Sequence, residues 1–232
     1  MSEKPTIVLL PGLDGTGRLF GRLIHELEPH AKLCVISYPS ERFLGYPELA
    51  NLVVGQTPPG PYAIVAESFS GPVAVMVGAT KPAALRGILL SASFVVPPAP
   101  GLLRVVPFEW LFRLGIPRTL LEYFLLDSRS AMEMAPEVSA AIGSVSPSVL
   151  AARVREVLSS NTSDALRSCV APIVFLTAGA DRLLGSRGVR AAHRASAVVE
   201  GVTIDGPHLL LQARPVESAV VIRRLLQRWF AS

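Results

Sequence analysis

One serine in the chain has the neighbours that nucleophilic chemistry would need. Residues 62–65 form a short apolar run, rich in β-branched and aromatic side chains, that is typical of a buried strand. The sequence Ala66-Glu-Ser-Phe-Ser-Gly71 follows at once, and residues 72–79 read as a helix that begins at a proline. Ser68 therefore lies on a sharp strand-to-helix turn, the context of a nucleophile elbow. A plain Ser/Gly turn into a helix also fits these residues.

The flanking residues depart from the usual elbow sequence. That sequence is G-x-S-x-G, because the residues two before and two after the serine are pressed together. Here those positions hold Ala66 and Ser70. Both side chains are small, so we expect them to meet the steric requirement, and Gly71 adds a further small residue.

A base and an acid can be assigned from their places in the chain. A serine hydroxyl needs a base to take its proton, and the base needs a third group to orient it. Of the four histidines, His208 alone follows the end of a predicted strand; the other three, His25, His30 and His193, belong to predicted helices or their ends. Asp181 also comes just after a strand. Asp205 is the rival acid, but its position suits a turn former better.

The backbone could supply a site for the developing oxyanion. One N–H donor is expected from the residue after the nucleophile, Phe69, and a second from the loop after the first strand, where we select Leu13. Glycines at 12, 15 and 17 let this loop approach a substrate closely. A phosphate-binding loop is the alternative, but the loop lacks the Lys-Ser/Thr of a P-loop and the G-x-G-x-x-G spacing.

Short apolar strands alternate with helices along most of the chain. This pattern predicts a mostly parallel sheet of about six strands with helices on both faces. Because parallel strands end at one edge of the sheet, Ser68, Asp181 and His208 should meet there. The predicted strands are residues 6–10, 33–38, 62–65, 85–93, 172–178 and 198–204, and the predicted helices are residues 18–27, 46–54, 72–79, 186–195 and 216–230.

One long region interrupts the alternation. Residues 94–167 contain no convincing strand, begin with a proline-rich segment and continue as helical fragments. We therefore divide the chain into a core of residues 1–93 and 168–232 and a helical lid of residues 94–167 over the carboxyl ends of the strands, where open α/β sheets bind ligands. Its aromatic residues could form the lid's own core or line a substrate pocket; the pocket candidates are Trp110, Phe112, Tyr123 and Phe124.

Composition narrows the class of protein. Of 232 residues, 50% are hydrophobic and 17% charged, yet no uninterrupted apolar run of about 18 residues indicates a membrane span. No basic leader precedes the first strand, so a cytoplasmic location is the default expectation. The net charge of +4 is scattered and does not favour nucleic-acid binding. Cys34 and Cys169 lack metal-ligand spacing, and we expect buried free thiols rather than a disulfide.

Taken together, these motifs resemble the α/β-hydrolase superfamily over nearly the whole chain, and the small lidded esterases and thioesterase-like enzymes of bacteria in particular. The segments that carry the resemblance are PGLDG at 11–15, AESFSG at 66–71, GAD at 179–181 and GPHL at 206–209. The chain departs from the family in having Pro11-Gly12 instead of a histidine-glycine pair and no antiparallel leading strands. The resemblance implies an acyl-enzyme mechanism with Ser68, Asp181 and His208 as the triad and Leu13 and Phe69 as oxyanion donors. It implies no metal or organic cofactor, and the apolar lid favours a small-molecule ester or thioester with a hydrophobic acyl group.

Two other functions remain open from the sequence. An acyltransferase or lyase-like member of the same fold would use the same residues with another acceptor than water. A non-catalytic protein that binds a small molecule under the lid would not need the serine to react, and the replaced elbow glycines favour it weakly.

Overall fold

The computed structural model describes residues 4–185, 187–195 and 199–231. Within them, six parallel strands form one sheet in the order β2-β1-β3-β4-β5-β6. The sheet therefore matches the predicted class, and all of its strand pairs are parallel. The strands are β1 (Thr6–Leu10), β2 (Lys32–Val35), β3 (Tyr62–Glu67), β4 (Leu85–Ser91), β5 (Ile173–Ala178) and β6 (Glu200–Ile204).

Helices cover both faces of this sheet. Alternate residues of β1 point to opposite faces. Val8 and Leu10 pack with α2 (Tyr46–Gln56) and α3 (Gly71–Ala79), whereas Ile7 and Leu9 pack with α1 (Gly21–Leu27) and α11 (Pro215–Phe230). Burial on both faces explains why the central strands β1, β3, β4 and β5 are mostly apolar, whereas the edge strands β2 and β6 are partly exposed and carry polar residues. The helices that flank the sheet are α1 (Gly21–Leu27), α2 (Tyr46–Gln56), α3 (Gly71–Ala79), α9 (Arg187–Ala195), α10 (Leu210–Ala213) and α11 (Pro215–Phe230).

A helical insertion separates β4 from β5. Its helices are α4 (Phe108–Leu114), α5 (Arg118–Leu125), α6 (Ser128–Gly143), α7 (Pro147–Ser159) and α8 (Ser163–Ser168). One buried group of its side chains, including Met134 and Val138, packs against Leu209 next to His208. A second group, Val145, Val149 and Leu150, packs against Leu13. The insertion therefore contacts two loops at the carboxyl edge of the sheet.

Several element boundaries differ from the sequence-based prediction for local reasons. β4 ends at Ser91 instead of residue 93, because Ala92 takes a left-handed backbone with φ 44°. β2 ends at Val35, although the N–H of Tyr38 still donates to the carbonyl of Gly15 at 2.7 Å. The first three residues of the predicted helix 18–27 form a 3₁₀ turn. The predicted starts of a helix at Ser186 and a strand at Val198, and residues 1–3 before β1, lie outside the described residues.

Two further expectations can be compared with the described residues. Cys34 and Cys169 are free thiols, each only partly buried. No described helix combines the length and the apolarity that crossing a membrane requires.

Candidate active site

Ser68 occupies a strained turn at the end of the central strand β3. It opens a single 3₁₀ turn, Ser68–Ser70, that leads directly into α3. Its φ of 44° is left-handed, a conformation that costs a non-glycine residue about 1–2 kcal/mol. Two donors hold the carbonyl oxygen of Ser68: the hydroxyl of Ser93 at 2.5 Å and the N–H of Gly71. These bonds offset the strain and fix the direction in which the side chain leaves the turn.

Packing against the turn requires glycine at one position. A Cβ atom added to Gly71 would lie 1.9 Å from the Oγ of Ser93 and 3.3 Å from the carbonyl oxygen of Phe94. The loop after β4 thus passes directly over the start of α3. Gly71, which the sequence suggested only as a further small residue, has no room for a side chain.

Ser70 does more than fit a small space. Its buried hydroxyl donates to the carbonyl oxygen of Pro11, and it accepts from the hydroxyl of Tyr38 at 2.7 Å. A glycine at this position would leave both of these buried groups without their partner. The serine that replaces the usual elbow glycine therefore links the nucleophile turn to the loop after β1.

Ser68, His208 and Asp181 form one chain of hydrogen bonds. The Oγ of Ser68 lies 2.9 Å from the Nε2 of His208, and the Nδ1 of His208 lies 2.9 Å from the Oδ2 of Asp181. An ionised carboxylate can only accept, so Nδ1 carries the proton and Nε2 turns its lone pair to the serine hydroxyl. The imidazole is 2% exposed. This arrangement can move a proton from the hydroxyl to the ring.

The acid of this chain is held as a carboxylate. Burial alone would raise the pKa of Asp181, but the hydrogen bond and electrostatic attraction of the His208 ring, together with the N–H groups of Leu184 and Leu183, lower it overall. Those N–H groups donate to Oδ1 at 2.9 and 2.8 Å, leaving Oδ2 for the ring. The rival acid, Asp205, is exposed.

The loop after β1 lies beside the nucleophile turn because β1 and β3 are neighbours. Leu10 pairs with Ala66, so both chains leave the sheet at the same level. The carbonyl of Gly12 accepts the N–H of Gly15 at 3.1 Å. In a trans peptide the N–H points away from the C=O, so the Leu13 N–H points away from Gly15. The direction of the Phe69 N–H is fixed in a similar way. The hydroxyl of Ser93 and the N–H of Gly71 both bond the carbonyl of Ser68, which belongs to the same peptide as the Phe69 N–H.

This combination of sheet order, insertion and strained serine turn points to a known family, and comparison with known proteins agrees. The sequence profile described as "Alpha/beta hydrolase family" matches residues 7–220. The chain belongs to the alpha/beta hydrolase family. No curated protein sequence matches it significantly.

Solved structures share the α/β-hydrolase fold at low sequence identity. A thermophilic esterase from Thermogutta terrifontis is 17% identical, with a TM-score of 0.74 over 98% of this chain and 90% of its own. An esterase from Rhodococcus sp. ECU1013 is 14% identical, with a TM-score of 0.76 over 97% and 91%. A structure described as an N-acyl homoserine lactone degrading enzyme is 20% identical, with a TM-score of 0.75 over 96% and 93%. At these identities the likeness concerns the fold, and the neighbours are esterase-like hydrolases.

The four aromatic pocket candidates of this α/β-hydrolase have different surroundings. Phe112 packs against Val145, Val149 and Leu150, the cluster against which Leu13 of the loop after β1 also packs. Trp110 is 60% and Tyr123 is 55% exposed, and Phe124 stacks edge-on against Tyr123 with centroids 5.1 Å apart. Of the four, Phe112 thus shares a buried cluster with a predicted oxyanion residue. The other three are exposed, and the ring of Tyr123 lies 4.6 Å from the guanidinium carbon of Arg182, the residue after Asp181.

Three polar residues at this edge of the α/β-hydrolase were not selected from the sequence. Ser93 bonds the carbonyl of Ser68, Glu67 is buried next to the nucleophile, and Arg153 of α7 reaches the loop after β1. Arg153 lies in an amphipathic helix rich in charged residues, which gives no signal of its burial. Glu67 occupies a variable position of the elbow motif, and a charged residue inside a buried turn was a signal that could have been followed.

Away from Ser68, the described structure could offer two other kinds of site, a groove and a metal-binding cluster. A groove of about 620 Å³ lies at the opposite edge of the sheet, lined by Lys4, Lys32 and Phe230 among others, and does not reach Ser68. Among the described residues, no group of three His, Cys, Asp or Glu side chains is placed to hold a metal ion.

Proposed function

We propose that this α/β-hydrolase is a serine hydrolase that cleaves carboxylic esters or thioesters of hydrophobic acids through an acyl-enzyme. The observation that carries the proposal is the pair of 2.9 Å hydrogen bonds from Ser68 to His208 and from His208 to Asp181. A strained serine, a buried imidazole and a carboxylate in this order are what an activated alcohol requires.

The first half of the reaction forms the acyl-enzyme. The Oγ of Ser68 attacks the substrate carbonyl carbon while its proton passes to the Nε2 of His208. The carbonyl oxygen becomes an oxyanion, and the bond to the leaving alcohol or thiol then breaks as His208 returns the proton to it. Asp181 keeps the ring in the productive tautomer and stabilises its positive charge.

The second half releases the acid. A water molecule takes the place of the alcohol and gives a proton to His208 as its oxygen attacks the acyl carbon. The bond to Ser68 breaks, and the serine recovers its proton from the ring. In both halves the N–H groups of Leu13 and Phe69 stabilise the oxyanion, because their peptide planes are fixed before the charge develops.

The substrate class rests on the surroundings of the site. The residues next to Leu13 on the insertion are apolar, namely Phe112, Val145, Val149 and Leu150. Phe112 and Leu13 are only partly buried, so they would offer apolar surface to a hydrophobic acyl group, whereas a charged group would lose its hydration there. We therefore expect turnover of neutral esters to rise with acyl length until the space is filled.

A fluorophosphonate probe and p-nitrophenyl esters of graded chain length test the proposal. The probe should label Ser68, and Ser68→Ala should abolish both labelling and turnover. Ser128→Ala, at an exposed serine of the insertion, is the matched control and should keep both. Full turnover by Ser68→Ala would refute the proposal. Product analysis with an added alcohol acceptor distinguishes hydrolysis from acyl transfer.

A further inference from the structure

The guanidinium of Arg153 is buried where such a group is costly. The side chain is 1% exposed, although Arg153 belongs to α7 of the insertion and the neighbouring Arg155 is exposed. Isolated charges are rarely buried unless they are paired and hydrogen-bonded. Its contacts should therefore indicate what the burial achieves.

Those contacts join the loop after β1 to the segment after β2. Nη1 donates to the carbonyl oxygens of Leu13 at 2.9 Å and Asp14 at 2.8 Å, and Nη2 donates to that of Pro39 at 2.9 Å. Three carbonyls in a fixed fork define the planes of three peptide groups. Two of these peptides follow directly after the Leu13 N–H.

The loop is shaped around this side chain. A Cβ atom at Gly15 would lie 2.6 Å from Nη1, and the φ of Gly15 is +70°. A residue with a side chain would therefore both strain the backbone and displace the guanidinium. Burial lowers the pKa of Arg153, and the nearby negative charge of the Asp14 carboxyl opposes that shift.

The same guanidinium also contacts the nucleophile turn. Its carbon lies 5.8 Å from the ring centre of Tyr38 and 5.9 Å from that of Phe69, at cation–π distance. Phe69 is packed on its other sides by Tyr38 and Tyr46. One side chain of the insertion thus touches both residues whose N–H groups are proposed to bind the oxyanion.

We infer that Arg153 is a positioning residue of the reaction: by holding the Leu13 and Asp14 carbonyls and the Phe69 ring, it keeps the Leu13 and Phe69 N–H groups in the geometry that stabilises the oxyanion. The inference rests on the proposed function. It gives the insertion a part in catalysis besides covering the site. Without the guanidinium the loop loses the donors to its Leu13 and Asp14 carbonyls, so stabilisation of the transition state should weaken more than binding of the ester.

Arg153→Met and Arg153→Lys test this, with Arg155→Met on the same helix as control. Fluorophosphonate labelling to completion counts the competent sites, so that kcat is expressed per site. We expect kcat per site to fall about tenfold to a hundredfold in Arg153→Met, less in Arg153→Lys, with KM within about twofold. Arg155→Met should match the wild type.

Inhibitors separate positioning from a loss of folded protein. A trifluoromethyl ketone forms a tetrahedral adduct with an oxyanion, whereas the matching methyl ketone binds mainly as a ground-state analogue. The inhibition constant of the former should rise by the same factor as kcat falls, and that of the latter should stay within twofold. Unchanged kcat per site and unchanged trifluoromethyl ketone binding in Arg153→Lys, or in a folded Arg153→Met, would overturn the inference. A wild type that neither labels nor turns over esters would instead refute the proposed function.

Discussion

The amide of Gln212 donates through Nε2 to the Oε2 of Glu67, the residue before Ser68, at 3.0 Å in a buried position. The other carboxyl oxygen, Oε1, has no hydrogen-bond partner among the described residues. Burial, helped by the nearby charge of Asp14, raises the pKa of Glu67 to about 8 against the opposing hydrogen bonds of Gln212 and the N–H of Gly12. The carboxyl is therefore held mainly neutral at pH 7.

Glu67 should make the stability of the fold depend on pH. Its pKa is raised in the folded state, so between about pH 5 and pH 8 the folded chain holds a proton that the unfolded chain has lost. The contribution of Glu67 to the free energy of unfolding is then largest at low pH. It falls as the pH rises through this range, by up to about 1.4 kcal/mol per pH unit. Glu67→Gln mimics the neutral carboxyl and should remove this slope. Denaturant unfolding of both proteins from pH 5 to pH 9 measures the difference.

A matched control isolates the buried carboxyl. Glu41→Gln changes an exposed carboxylate and should leave the pH dependence of unfolding as in the wild type. The interpretation is contradicted when wild type and Glu67→Gln keep a constant stability difference across the pH range.

Asp181→Asn should reduce turnover while leaving the fold intact. The asparagine amide can donate to Nδ1 of His208, which would place the ring proton on Nε2, facing Ser68. The base would then have no lone pair for the serine, and we expect kcat to fall on the order of 10³–10⁴-fold. Initial rates with a p-nitrophenyl ester and the rate of fluorophosphonate labelling measure it.

Asp205→Asn is the control for that change. Asp205 is exposed, and the hydrogen bond of His208 goes to Asp181 instead, so turnover should stay within about twofold. A large loss in Asp205→Asn together with a mild one in Asp181→Asn would reverse the assignment of the acid.

Ser93→Ala should affect catalysis, whereas the same change two residues earlier should not. Ser93 donates to the carbonyl of Ser68 at 2.5 Å, while the hydroxyl of the equally buried Ser91 has no partner among the described residues. Loss of the Ser93 bond should cost about 1 kcal/mol of stability. It should also lower kcat several-fold, because in the variant only the N–H of Gly71 still holds the Ser68–Phe69 peptide. Ser91→Ala should be neutral or slightly stabilising. Thermal unfolding and kcat of the pair test this, and equal effects would argue against a role for the Ser93 hydroxyl.

The sequence was sufficient for the sheet and its insertion because periodicity and strand length carry that information. Each buried strand is a short apolar run, and residues 94–167 lack such a run. Boundaries were less predictable where the tertiary structure sets them. The end of β4 depends on the left-handed backbone of Ala92, and the end of β2 depends on Tyr38 bonding the loop after β1 instead of a strand.

Residues of the candidate site could be predicted from the sequence where they follow the ends of strands. They could not be predicted where elements far apart in the sequence meet. Ser68, Asp181 and His208 each follow a strand, so their common edge could be inferred. Arg153 lies 139 positions from Asp14, on a helix whose polar residues gave no sign of which one turns inward. The role of Ser70 was also hidden, because a small residue at an elbow is explained by space alone, and its partners Tyr38 and Pro11 come from other loops.

The hydroxyls of Tyr38 and Ser70 should act as one unit in a double-mutant cycle. Tyr38 donates to Ser70, and Ser70 in turn donates to the carbonyl of Pro11, with all three groups buried. Ser70→Ala leaves the Tyr38 hydroxyl and the Pro11 carbonyl unpaired, which should cost about 1–3 kcal/mol, whereas Tyr38→Phe leaves the bond to Pro11 intact and should cost less. The double variant should be little less stable than Ser70→Ala alone, so urea unfolding should give a coupling free energy of about 1 kcal/mol between the two changes. Because Pro11 precedes the loop that carries Leu13, Ser70→Ala should also lower kcat more than Tyr38→Phe does. Strictly additive free energies would contradict the shared network.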